Sequence, residues 1–134
     1  MSFFLIAAAW LAWGGGEQCG PIVAAITHVE SRGNTFAIGS VGERGLMQVR
    51  PRYARIPGLL LHVPALGREE GCRILQRWQS RARRRCEHER RKGLSCHAGT
   101  RALAAYNAGN PGLHGESSRG NAYARKVLRM LERP

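Results

Sequence analysis

Residues 21–33 read PIVAAITHVESRG, and this stretch decides the fold class. Pro21 suits the first turn of a helix, where its missing N–H costs nothing. Ile22, Ile26 and Val29 then recur at helical spacing, and Gly33 or Asn34 ends the helix in the manner of a C-cap. Helical cues keep dominating outward from here, and no convincing run of alternating apolar residues marks a strand. Residues 35–46, TFAIGSVGERGL, hold three glycines and read as loop or short extended structure. Pro51 allows a short helix to start within residues 47–54. Ile56 to Leu66 is apolar but broken by Pro57, Gly58 and Pro64. A long helix is expected from Leu66 to about Arg91, with Leu66, Ile74, Leu75, Trp78 and Ala82 on one face and Gly93 as its stop. Thr100 is expected to cap a helix running to Asn107. Residues 109–120 read as a Gly-rich loop. Asn121 then starts the last helix, with Val127, Leu128 and Leu131 facing inward. The chain is therefore read as mainly α, with long loops after Gly33 and after Asn107 and no internal repeat.

A length of 134 residues and a hydrophobic fraction of 43 % fit one domain with one core. The charge is lopsided: 21 Lys plus Arg against 9 Glu, a net +12. Nineteen of the cations are Arg, and there is no Asp. Asp-based calcium loops and Ser-His-Asp triads are thereby excluded. Any carboxylate chemistry belongs to a Glu. Residues 1–50 are neutral, with Arg32, Arg44 and Arg50 against Glu17, Glu30 and Glu43, so the excess lies after residue 50, most densely from Arg73 to Lys92. Such a charge implies a polyanionic partner: nucleic acid, an anionic membrane surface, or an acidic polymer such as a cell wall.

Residues 3–13, FFLIAAAWLAW, form an unbroken apolar run of eleven. A membrane-spanning helix needs about 20 residues. The run has the length of a signal-peptide core, followed by the small residues Gly14 and Gly16, but no Lys or Arg precedes it. Residues 1–16 are read as a signal peptide, a weak anchor or a first helix, and 17–134 as the domain. The four cysteines, Cys19, Cys72, Cys86 and Cys96, admit three pairings. On one continuous helix Cys72 and Cys86 stand about 21 Å apart and cannot bridge. Cys86 with Cys96 closes a short turn, which leaves Cys19 with Cys72. In a reducing compartment all four would be free thiols. Cys86, His88, Cys96 and His97 are zinc-ligand types, but their spacing fits no standard finger, and neither metal nor cofactor is expected.

Three places carry candidate chemistry. Glu30 follows Ile26 by four residues, at the border of the apolar face, where partial desolvation would raise its pKa and suit it to donate a proton near neutral pH. Gly45-Leu46-Met47-Gln48 joins a glycine, open to close backbone approach by a ligand, with an apolar contact and an amide donor for a sugar. Ala105-Tyr106-Asn107-Ala108-Gly109 places a hydroxyl and an amide beside a glycine turn, suited to orienting a carboxylate or an acetamido group. Alone, each has an ordinary explanation: a surface Glu at a helix end, a turn leading to a core Leu, a helix C-terminus with a core Tyr.

Together, Glu30-Ser31, Gly45-Leu46-Met47-Gln48 and Ala105-Tyr106-Asn107-Ala108-Gly109 resemble the soluble lytic transglycosylases of the lysozyme superfamily. Ser40-Val41-Gly42-Glu43-Arg44 before Gly45, Pro51 after Gln48, and Tyr123-Ala124-Arg125-Lys126-Val127 in the closing helix fit as well. The resemblance covers about residues 20–133. It implies a lysozyme-like single domain with long loops around an active-site cleft. It also implies cleavage of peptidoglycan between N-acetylmuramic acid and N-acetylglucosamine, leaving a 1,6-anhydro end. Glu30 would be the single acid/base. Ser31 would position substrate or Glu30. Gly45, Leu46, Met47 and Gln48 would line the sugar cleft. Tyr106 would hydrogen-bond Glu30, Asn107 would help shape the site, and Tyr123 is a further cleft candidate. Ordinary glycosidases need two carboxylates about 5–9.5 Å apart, whereas here one Glu sits in a matching motif.

Glu43 departs from the family, which commonly has a small residue there. It is read as solvated or paired with Arg44, a second catalytic carboxylate being the alternative. The segment between Gln48 and Ala105 departs most. Its run RWQSRARRRCEHERRK reads as a solvated helix face or as a clamp on anionic peptidoglycan or phosphate-rich envelope lipid. The expected partner is the peptidoglycan glycan strand, met by a monomer in the periplasm or envelope of a Gram-negative host. The setting is a phage lysis or virion enzyme, or a wall-opening enzyme of a secretion or conjugation apparatus. A lysozyme-type hydrolase is the nearest alternative. A non-catalytic wall- or nucleic-acid-binding module is the alternative of another class. Nucleic acid is not expected, because Trp78 is the only aromatic among those arginines.

Overall fold

The computed structural model describes residues 19–133. The apolar run at 3–13, the reading of residues 1–16 and Glu17 lie outside them. Among the described residues five helices follow in order: α1 Pro21–Ser31, α2 Pro64–Arg91, α3 Ala98–Ala108, α4 Asn110–Leu113 and α5 Ser118–Glu132, with 3-10 turns at Pro51–Tyr53 and Gly58–His62. No strand occurs among the described residues; two isolated bridges, Ile38 with Arg44 and Arg44 with Val49, mark the extended loop. The chain is mainly α, as its spacing predicts. No described helix is long and apolar enough to cross a membrane. Two compact units are distinguished, described residues 19–74 and 75–133, and the division falls within α2.

In the first unit, Pro21 opens α1 and Ile22, Ala25 and Ile26 form its buried face. The helix ends one residue sooner than expected. The C-cap is Arg32, left-handed at φ 52°, with Gly33 after it also at positive φ, and the Arg32 N–H donates to the His28 carbonyl. Pro64 does not break the next segment but begins α2, two residues before the expected start. Gly67 and Gly71 lie one turn apart on α2. A Cβ at Gly67 would overlap the Leu61 carbonyl, and one at Gly71 would overlap Met47. The helix is thus pressed against the 3-10 turn and the 45–48 loop because it lacks side chains there. Cys19 is bridged to Cys72, with Cα atoms 5.7 Å apart, which fastens the entry of α1 to α2.

In the second unit, Ala82, Ala102, Ala105 and Leu113 form a buried cluster with Trp78 and Ala98 packed on it. The cap of α3 is the His97 ring, whose Nδ1 accepts from the Thr100 N–H at 3.1 Å, so Thr100 is the third helical residue and not the cap. The 109–120 segment is not all loop. It contains α4, and α5 begins at Ser118 under a Ser117 cap, ahead of Asn121. A Cβ at either Gly112 or Gly120 would overlap the Ala104 carbonyl, so these glycines let the chain close over α3. Cys86 is bridged to Cys96, with Cα atoms 5.2 Å apart. Both pairings agree with the sequence reading. The Cys86 and Cys96 sulfurs, bonded to each other, are not thiolate ligands for a metal.

Two buried carboxylates hold α2 to its neighbours. Glu70 accepts from the Arg55 backbone N–H at 3.0 Å and from Arg73 Nη2 at 2.8 Å, and Arg73 also donates to the Tyr53 carbonyl. Glu89 faces the Arg101 fork, with Nη2 at 3.0 Å, and accepts from Arg85 Nε at 3.3 Å. Burial pushes both carboxyls up. The arginine charges and hydrogen bonds, with the Arg55 N–H at Glu70, outweigh it and leave both pKa values below the ordinary carboxylate range. Lowered folded-state values make a contribution to stability that is fully present above the unfolded Glu pKa of about 4.3. It is lost as pH falls through the lower folded values. Melting temperature is therefore expected to hold near neutrality and fall steadily below about pH 4.3. Glu89→Gln should lose about 3 kcal/mol at neutral pH and show a shallower acid decline. A melting series from pH 3 to 7 on both proteins checks this.

Candidate active site

Glu30 lies in the last turn of α1 and is half-buried. Its neighbour fixes where that turn sits. The Ser31 hydroxyl donates to the Leu46 carbonyl at 2.8 Å and approaches the Thr27 carbonyl at 3.1 Å, while its oxygen accepts from the Gly33 N–H at 3.3 Å. Ser31 therefore ties the end of the helix bearing Glu30 to the Gly45–Gln48 loop, fifteen residues on. The first two motifs read from the sequence meet through this bond.

The 45–48 loop is closed by a mutual pair of backbone bonds between Arg44 and Val49, at 2.9 and 3.1 Å, and turned by Gln48 N–H to the Gly45 carbonyl at 3.2 Å. Its residues are engaged within the unit. Gly45, at φ 80°, is needed for close approach, but the approaching group is the Leu61 carbonyl and not a ligand. Met47 is fully buried, so it offers sugar no surface. Leu46 is 6 % exposed and gives its carbonyl to Ser31. Gln48 sits in the left-handed region at φ 49°, and its side-chain Nε2 donates to both the Ala37 and Gly45 carbonyls, at 3.1 and 2.9 Å. Both amide hydrogens are engaged by the loop itself, so the expected amide donor to a sugar is not offered. The run GLMQ is a locked pedestal for the α1 terminus.

The preceding hairpin turns at Gly39–Gly42, and Glu43 staples it. One carboxylate oxygen accepts from the Val41 N–H at 3.1 Å, over Gly39, where a Cβ would overlap it. Glu43 is half-buried and is not paired with Arg44. Arg44 Nη1 instead lies 3.5 Å from Nε2 of His62, whose Nδ1 meets the Thr35 carbonyl at 2.9 Å. A carbonyl only accepts, so Nδ1 carries the proton and Nε2 is the acceptor facing Arg44. Phe36 stacks on this ring at 6.4 Å and is 77 % exposed.

The third motif belongs to the second unit. Tyr106 and Asn107 occupy the last turn of α3, which Gly109 ends with its N–H on the Ala105 carbonyl at 2.7 Å. The Tyr106 ring stacks on Tyr123 of α5, with centroids 6.5 Å apart and planes 15° from parallel. Tyr123 is 7 % exposed, so its ring serves packing more than a cleft wall. Sequence reasoning missed Glu70 and Glu89, the two carboxylates that organise α2. The signal was present in the three- and four-residue spacings Glu70–Arg73 and Arg85–Glu89.

A family model described as the Transglycosylase SLT domain matches residues 16–127, most of the chain. No curated protein and no solved structure matches it.

Proposed function

The chain belongs to the transglycosylase SLT domain family, which acts on peptidoglycan as lytic transglycosylases, and on that footing we propose that Glu30 is its single acid/base. Glu30 protonates the glycosidic oxygen as the bond between N-acetylmuramic acid and N-acetylglucosamine breaks. It then takes the proton of the muramoyl C6 hydroxyl, whose oxygen closes on the anomeric carbon. The product is a 1,6-anhydro end, and no water is consumed. The substrate's acetamido oxygen stabilises the oxocarbenium centre, the task a second protein carboxylate performs in ordinary glycosidases. Ser31 acts as a positioning residue, and Tyr106 and Asn107 are assigned to the same activity by their motif.

The observation that supports this best is the Ser31–Leu46 bond, which seats the Glu30 turn on the GLMQ loop within the span matched to the family. Digested peptidoglycan is expected to yield muropeptides one water lighter than hydrolase products. Reducing ends alone, read by mass spectrometry, would make the chain a lysozyme-type hydrolase. The proposed place of action is the periplasm or envelope of a Gram-negative host, a reading supported by the two disulfides, which persist in oxidising compartments. The proposed setting is phage lysis or wall penetration. Neighbouring holin or tail genes are expected, and pilus genes in their place would assign the chain to a secretion or conjugation apparatus.

A further inference from the structure

The arginine-rich part of α2 does not act as one block. Arg73 and Arg85 are engaged with Glu70 and Glu89. Within the second unit the helix buries Leu75, Gln79, Ala82, Cys86 and Glu89. On the opposite side Arg77, Arg81, Arg84, His88 and Arg91 follow one another at steps of four, three, four and three residues, and all five are exposed. At about 100° per residue these five side chains fall within roughly 80° of one another, in a straight row about 21 Å long. The exposed carboxylate of this stretch, Glu87, stands at the edge of the row, about 40° from Arg91, and makes no ion pair with it. Among the described residues, Arg77, Arg84, His88 and Arg91 pair with no carboxylate. Arg81 is held in place, donating to Asn110 Oδ1 at 2.9 Å and lying 4.6 Å over the Trp78 ring. Beyond the helix, past Gly93, Leu94 stands 55 % exposed.

We propose that this row is a docking face for the phosphate headgroups of an anionic lipid leaflet. The spacing of the charges selects that partner. The four arginines stand about 4.5–10.5 Å apart along the axis, with the exposed His88 in the widest gap. A glycan strand carries carboxylates on its peptide arms alone, one disaccharide apart, and meets one or two of them. A leaflet presents phosphate at every headgroup and meets the whole rigid row at once. Guanidinium forks suit phosphate oxygens bidentately, and the exposed Leu94, three residues beyond Arg91, is of the apolar type that suits the interface below the headgroups. The inference is independent of the chemistry assigned to Glu30, because it concerns binding alone.

The test is co-sedimentation of the full chain with vesicles of phosphatidylglycerol and phosphatidylethanolamine, and with vesicles of phosphatidylcholine. Binding is expected to the first, weakening steeply as salt is raised, and not to the second. Arg77→Gln/Arg84→Gln/Arg91→Gln should lower partitioning roughly a hundredfold, from about fivefold for each charge removed. The matching triple change to Lys should retain most of it. Melting curves check that the variants fold. Should the Gln variant unfold, the wild-type salt dependence and the Lys variant decide the question in its place. Equal binding to both vesicle types would overturn the proposal, since apolar insertion would then carry the attachment. So would a Gln variant that binds undiminished. Loss of binding to lipid-free sacculi or to DNA, with vesicle binding intact, would assign the row to those polymers instead.

Discussion

Glu30→Gln is expected to lower the rate of anhydromuropeptide release by at least about a thousandfold while leaving the melting temperature nearly unchanged. General acid–base catalysis by one positioned group is typically worth about 10²–10⁴. Here one carboxyl is given both proton transfers, so the upper part of that range applies. Gln keeps the shape and polarity of the side chain but neither donates nor takes the required proton. The companion change Ser31→Ala separates chemistry from placement. It removes the hydroxyl that holds the Leu46 carbonyl at 2.8 Å, a bond worth about 1 kcal/mol net. It should slow release partially and lower stability slightly, because the carboxyl remains and only its seat loosens. If Glu30→Gln retained activity, the assignment of the acid/base would fail. If Ser31→Ala matched it in severity, Ser31 would be touching substrate and not only the loop.

The two motifs of the first unit were legible as motifs, yet the work of their individual residues was not. Helical spacing around Ile22 and Ile26 is a local property, and α1 follows it. The roles of Gly45, Met47 and Gln48 depend on groups far along the chain: the Leu61 carbonyl, Gly71, and the Ala37 carbonyl. Spacing within GLMQ carries no trace of those partners, so the contacts that lock the loop were not legible there. The 109–120 segment failed for a related reason. Gly112 and Gly120 suggest freedom locally, but they are required by contact with Ala104. The Arg32 cap was illegible because a glycine stands beside it, and glycine is the commoner left-handed cap. Cysteine pairing was readable in two local steps: helix geometry forbids Cys72 to reach Cys86, and the short turn from Cys86 to Cys96 favours a bridge there.

Reduction of the two disulfides should remove much of the stability of the fold. In the chain-entropy account a bridge stabilises by restricting the unfolded chain, and more so for longer loops. Cys19–Cys72 spans 53 residues and Cys86–Cys96 spans 10. These correspond to about 4 and about 3 kcal/mol respectively. A domain of this size has only about 5–15 kcal/mol in all. Urea unfolding of Cys19→Ser/Cys72→Ser should show the larger fall in midpoint, Cys86→Ser/Cys96→Ser the smaller, and dithiothreitol should approach both together. The larger effect also falls closer to the proposed chemistry, because Cys19 fastens the entry of the helix that ends in Glu30 and Ser31. Loss of that bridge should therefore depress lytic activity at temperatures where the chain remains folded. An unchanged midpoint in the Cys19/Cys72 variant would show that the Gly67–Leu61 and Gly71–Met47 contacts alone hold α2 in place. The reverse order of effects would place the greater constraint at the Glu89–Arg101 pair, on the helix that carries Cys86.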